Sequence, residues 1–237
     1  MADVAVESSL QRVTEAEAQG TPARLAAAGG ILFVVGLIVQ NVLRSSEPAG
    51  DAQPAKVAAY FVGHRAETLV PLLLFPVGLV ALLMFVAGVT ARSAEGGATG
   101  RWWGRVGGYG TLAIVSLFAL VNVSDIALAA RPHQLAGSPV FVEALWKLHS
   151  AAFALNFAAI AVTMLGLGEA AGAAGLVPRR LVIATRIGSL CLFIPSLFET
   201  AVVNGSKILA VALVGFIVWV VFVVTASVGL WRERAAG

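Results

Sequence analysis

Residues 111–168 read TLAIVSLFALVNVSDIALAARPHQLAGSPVFVEALWKLHSAAFALNFAAIAVTMLGLG. Two long apolar runs flank a polar turn, and Asn122, Asp125, Glu143, Lys147, His149 and Asn156 lie in or beside them. Hydrocarbon cannot replace the hydration of a charged or titratable group, so such residues in apolar helices face a bundle interior or a watery cavity. The stretch therefore predicts an all-α, polytopic transmembrane bundle containing a polar pocket.

The whole chain agrees with that reading. Of its 237 residues 59% are hydrophobic and 12% charged, with a mean hydropathy of +0.89, whereas a soluble domain carries about 25% charged residues. The formal charge of +3 does not point to nucleic acid, because the cations stand singly or in pairs between apolar runs and form no basic stripe. One cysteine, Cys191, lies in an apolar run without an acid, base or cation beside it, which suits a small core hydrophobe.

Six runs are long enough, at about 1.5 Å per residue, to cross a hydrocarbon core of about 30 Å. They are placed at 25–43, 69–91, 106–130, 148–168, 181–203 and 208–231. Residues 1–23 form a polar tail or short helix without a signal-peptide core, and 233–237 a short C-terminal tail. One side of the bundle collects Arg12, Arg24, Arg92, Arg101, Arg105, Arg179, Arg180, Arg186, Arg232 and Arg234; the other collects Arg44, Lys56, Arg65, Arg131, Lys147 and Lys207. The richer side is cytoplasmic by the positive-inside rule, so both termini are expected inside. Trp102, Trp103 and Trp231 are then expected at the inner interface and Trp146 at the outer one.

Between the first two runs, Pro54 is followed by Val57, Tyr60 and Phe61 at helical spacing, which predicts a short amphipathic helix on the outer surface or capping the bundle. Pro71 and Pro76 are expected to bend the second run. Gly29, Gly30 and Gly36 in the first run, and Gly107 and Gly108 at the start of the third, suit close helix packing rather than phosphate binding. Arg105-Val-Gly-Gly and Arg186-Ile-Gly-Ser each open an outward run, a faint internal repeat.

The candidate pocket residues are Asn122, Asp125, His149, Asn156, Glu199 and Asn204. Asn122 and Asp125 share a helix face three residues apart, and His149, Asn156 and Thr163 form a polar seam at intervals of seven. Glu143 and Lys147, four apart, read as a pair in water. Thr185, Ser189, Ser196 and Glu199 line one side of the fifth run, where Pro195 frees a carbonyl. An outward pocket binding or transporting a small molecule or lipid is the leading functional expectation. A metal-dependent hydrolase is the second, with His64, Asp125, His149 and Glu199 as ligand candidates, although no H-E-x-x-H or other paired spacing is present. The third is a structural subunit whose apolar faces bind partner helices or a second copy. No cofactor motif is present.

The Leu176-Val-Pro-Arg-Arg-Leu turn leading into Ala184-Thr-Arg-Ile-Gly-Ser-Leu resembles the Pro-Arg loop before the penultimate helix of DUF4386-like six-helix bacterial membrane proteins. That resemblance implies the same helix order and no particular activity. Thirteen arginines against three lysines point to a high-GC, actinobacterial source and hence to a bacterial plasma membrane.

Overall fold

The computed structural model describes the backbone of residues 2–135 and 137–232, and the side chains of residues 21–135 and 137–232. The expected C-terminal tail, 233–237, lies outside the described residues, as do the side chains of the polar N-terminal stretch through Gly20. All regular structure among the described residues is helical: α1 (Ala2–Leu43), α2 (Pro54–Gly63), α3 (Arg65–Ser93), α4 (Gly97–Ala130), α5 (Pro132–Leu135), α6 (Pro139–Ala173), α7 (Arg179–Leu197), α8 (Glu199–Val203) and α9 (Leu209–Arg232).

Five stretches are long and apolar enough to cross a membrane, Thr21–Ser46, Arg65–Ala130, Pro139–Ala173, Arg179–Leu197 and Leu209–Arg232, as suits a multi-pass membrane protein. The 66 residues of Arg65–Ala130 are not one rod. A single 3₁₀ turn at Ala94–Gly96 and Gly97, at φ 71°, separate α3 from α4. The two helices fold back and pack side by side.

The central helix is α6. Its most apolar window is 61% buried, against 28–39% for the other stretches, because small residues let its neighbours close upon it. On the α4 side, a Cβ added to Gly166 would come within 2.3 Å of the Gly107 nitrogen, and one added to Gly107 within 2.8 Å of the Leu167 nitrogen. On the α7 side, Gly188 lies against Met164 and Gly168 against Thr185. The two repeated motifs thus supply, through Gly107 and Gly188, the close approaches on two sides of α6. Around this axis Phe85, Met164, Leu167, Leu192, Trp219 and Phe222 form one core. The outward faces of α1, α3 and α9 expose Val42, Leu73, Val80, Leu213 and Ile217, as lipid contact requires.

Several boundaries differ from those expected. Helix α4 begins at Gly97 rather than 106 and α6 at Pro139 rather than 148. Tertiary packing of the glycines, with Pro139 in the first turn of α6, carries both helices through stretches that look like loops. The fifth run does not continue to 203. Helix α7 stops at Leu197, Phe198 turns out of helical geometry at φ −119° and ψ 37°, and α8 starts afresh at Glu199. Pro195 lies in that last turn and cannot donate to the ladder. Prolines 71 and 76, by contrast, sit inside an unbroken α3.

Helix α2 caps the end of the bundle at which α1 finishes. Val57, Tyr60 and Phe61 are buried against Leu128, Val142 and Trp146 in a second, smaller core. Trp146 is therefore not an interfacial anchor: it is 3% exposed and donates to the Ala49 carbonyl at 3.0 Å. Lys147 does not pair with Glu143. Its Nζ donates to the carbonyls of Gly50 at 3.2 Å and Val203 at 3.4 Å, tying the loop after α1 to the end of α8.

The glycine contacts make a paired test. Gly107→Ala is expected to cost about 1–3 kcal/mol through overpacking against Leu167. Its neighbour Gly108, where an added Cβ meets nothing within 4 Å, should accept alanine with no loss. Thermal unfolding in detergent decides it; equal melting temperatures for the two variants would contradict the packing.

Candidate functional site

Asp125, three turns along α4 from Ile114 toward its C-terminal end, is 1% exposed and yet lies in an apolar helix. Two other elements supply its partners. Arg44, in the 3₁₀ turn Arg44–Ser46 that ends α1, donates from Nη2 to Asp125 Oδ2. His149 of α6 brings Nδ1 to 2.8 Å from Asp125 Oδ1, with the two atoms out of line for a good hydrogen bond. The carboxylate is thus shared by three elements remote in sequence. Glu47 joins the cluster from the other side of Arg44, with Oε1 3.5 Å from Nε.

Stacking fixes the imidazole. The His149 ring lies parallel to that of Trp146, with centroids 4.5 Å apart and planes 17° apart, and Phe153 follows below. Because Trp146 is held by the Ala49 carbonyl, the loop after α1, the indole and the imidazole form one column.

The cluster closes the polar end of a cavity of about 470 Å³ between α1, the loop after it, α6 and α9. Arg44, Glu47, His149 and Asn156 line it, and its remaining wall is mainly apolar, including Phe153, Phe157 and Phe216. Leu213, 60% exposed, lines it too, so the cavity reaches the outer surface of α9. Asn156 is 2% exposed and its Oδ1 has no partner. A buried amide oxygen left without a donor costs about 1–3 kcal/mol, which makes it a position where a ligand group is of use. Another cavity, of about 500 Å³, opens at the far end of α1 and α3, where Arg92, ion-paired with Glu95, is the one charged wall among the described residues.

The expected site residues divide. Asp125 and His149 meet, and Asn156 lines the same cavity two helical turns below His149. Asn122 is buried, and its Nδ2 donates to the Phe118 carbonyl of its own helix at 2.7 Å. Glu199 is half-buried at the start of α8 and is absent from the cavity wall, which α8 reaches through Val202 instead. Asn204 is exposed at the end of α8. His64, between α2 and α3, is exposed and stacks on Tyr60 with centroids 4.6 Å apart. The four metal candidates are therefore not gathered, and among the described residues no three of His, Cys, Asp and Glu are grouped to hold a metal ion.

Sequence reasoning missed both Arg44, which counts there only as a loop cation, and Glu47, which it does not single out. The signal was the polar face Gln40, Asn41 and Arg44, at helical spacing on the C-terminal end of α1. Compared with protein families, curated proteins and solved structures, the chain matches none.

Two tests follow from the cluster. Asp125→Asn leaves Arg44 without its carboxylate and is expected to cost about 3–5 kcal/mol of stability. Arg44→Gln combined with Asp125→Asn should lose less than the two single losses added together; strict additivity in thermal unfolding would show that the pair is not coupled. For Glu47, burial pushes the carboxyl above its ordinary range, opposed by the charge of Arg44. The folded chain then holds this proton to higher pH than the unfolded one, so stability falls as pH rises from the ordinary carboxylate range through the raised value. Glu47→Gln should flatten that fall, and a slope identical to wild type would exclude Glu47 as its source.

Proposed function

We propose that the chain crosses a bacterial plasma membrane six times, with both termini inside, and binds or carries a small molecule or lipid in an outward-facing vestibule. Counting α3 and α4 as two crossings gives six, and the excess of Arg on the side of Arg92, Arg101, Arg179 and Arg180 supports the orientation. The observation that carries the functional part is the cluster itself. A buried carboxylate held by a guanidinium and an imidazole stands at one end of a cavity of about 470 Å³ whose other walls are mostly apolar. Apolar pockets with a few convergent polar groups are where ligands bind, and intramembrane ionisable groups concentrate on such paths. The likeness to DUF4386-like proteins rests on the Pro178-Arg179-Arg180 turn and adds helix order but no ligand.

Accessibility tests the vestibule. In a Cys191→Ala background, Ser45→Cys at the cavity mouth should react with a membrane-impermeant maleimide on intact cells, while Arg101→Cys should react only after permeabilisation. The reverse pattern would overturn the orientation. Native mass spectrometry of the chain extracted with its lipids should then show a bound species that Leu213→Trp expels and Glu199→Gln retains. Its presence in both variants would place the ligand elsewhere.

A further inference from the structure

The vestibule does not end at Asn156. A narrower slot of about 80 Å³ continues between α1, α3, α4 and α6, and six residues line both spaces: Leu37, Gln40, Phe118, Asn156, Ile160 and Phe216. The slot's walls are apolar apart from Gln40 and Asn156. Gln40 is already committed, donating from Nε2 to the Pro71 carbonyl at 3.2 Å. The unpartnered Asn156 Oδ1 thus stands where the polar space passes into the apolar one.

On its far side the slot is bounded by Gly36 of α1 and Gly78 of α3. Neither glycine serves helix packing, since a Cβ added at either meets nothing within 4 Å, in contrast to Gly29 and Gly30 of α1, whose added Cβ atoms would clash. Two side-chain-free positions on adjacent helices leave a window toward the surface where Val35, Val77 and Val80 are exposed. A chain of methylenes suits such a window, and a slot of about 80 Å³ is small enough to favour a single chain.

Charge selects the head group. Arg44 is the one arginine or lysine of the cluster, and it is flanked by two carboxylates, Asp125 and Glu47. Lys147 is turned away to the carbonyls of Gly50 and Val203. A deprotonated carboxylate or phosphate oxygen has no proton to give the Asn156 oxygen, and an ammonium group would stand in the field of Arg44. A hydroxyl both donates and accepts, so it satisfies the Asn156 amide in either orientation and asks nothing of the ion pair.

Resting on the vestibule as a ligand site, we infer that its ligand is an uncharged single-chain amphiphile, with a hydroxyl hydrogen-bonded to Asn156 and a tail leaving through the slot between Gly36 and Gly78. The test uses the full chain in phosphatidylcholine nanodiscs and a 1-monoacylglycerol carrying a diazirine in its acyl chain. Photolysis should attach one label per chain, on α3 between Leu74 and Leu82 or on α4 between Ile114 and Phe118. Excess monoolein should compete, and oleate or oleylamine should compete at least tenfold less well. Gly78→Leu, which the backbone accommodates, and Asn156→Leu should each lower labelling about tenfold, with melting temperatures confirming that both fold. Better competition by oleate, labels outside the slot, or undiminished labelling of Gly78→Leu would each overturn the inference. Should the analogous fatty acid or amine probe label vestibule walls such as Phe153 or Leu213 while the monoacylglycerol does not, the inference falls and the vestibule proposal stands. If no probe labels either space, both fall.

Discussion

The Asp125 carboxylate is the constraint around which the α2-capped half of the molecule is arranged. An isolated anion 1% exposed inside an apolar bundle is not sustainable, since the effective cost of taking one ion out of water is several kcal/mol even after relaxation. The fold meets that demand with a guanidinium from the end of α1 and an imidazole from α6, so three helices far apart in sequence must meet at one point. The loop after α1 inherits the requirement. It follows Arg44 directly, its Ala49 carbonyl receives Trp146 and its Gly50 carbonyl receives Lys147, and α2 then closes over the indole. A cap of aromatic residues sits above the ion pair because the pair fixes where the loop begins.

Stability of the opposite half of the bundle has a different origin. There the glycine and threonine positions of α4, α6 and α7 bring backbones into contact so that dispersion holds them, and the exposed Arg186–Glu169 ion pair joins α7 to α6. The two regimes meet on α6, whose polar seam runs from His149 through Asn156 to Thr163. At the top His149 faces a charge; at the bottom Thr163 packs against Gly110 and returns its hydroxyl to the Ala159 carbonyl of its own helix. Asn156, between them, has neither an ion partner nor a donor for its oxygen. That is the position at which the helices stand apart and leave the cavity.

The sequence made the bundle legible because hydrophobicity over some twenty residues is a strong signal and because Asp125 and His149 are conspicuous in apolar runs. It concealed Arg44 for a physical reason: a cation at a helix end serves equally as an interfacial anchor or as an inward partner, and only the rotation of α1 decides between them. Glu199 was misleading for the converse reason. Its helical spacing with Ser189 and Ser196 holds only if the helix continues, and the break at Phe198 turns α8 away from that face. Helix ends were hidden in the same way, since Gly97 through Arg105 looks like a loop until Ser93 and Gly166 are placed against it.

The contrast among the α1 glycines ties packing to function. Gly29 and Gly30 lie where the Ala81 carbonyl, Phe85 and Ser227 leave no room for a side chain, so close helix contact accounts for them. Gly36 lies two turns further out, beside no such contact, where a leucine would be better for both helix propensity and lipid exposure. Gly78 repeats the situation on α3, in a helix that already carries two prolines. Helices built only to pack would close that gap, since burying a side chain there would stabilise the bundle at no steric cost. The space kept open on both helices leads inward to Asn156, whose oxygen is the one buried amide oxygen without a protein partner among the described residues, and above it to the charged cluster. A packing role explains none of these three features, whereas the proposed path for an amphiphile uses all of them.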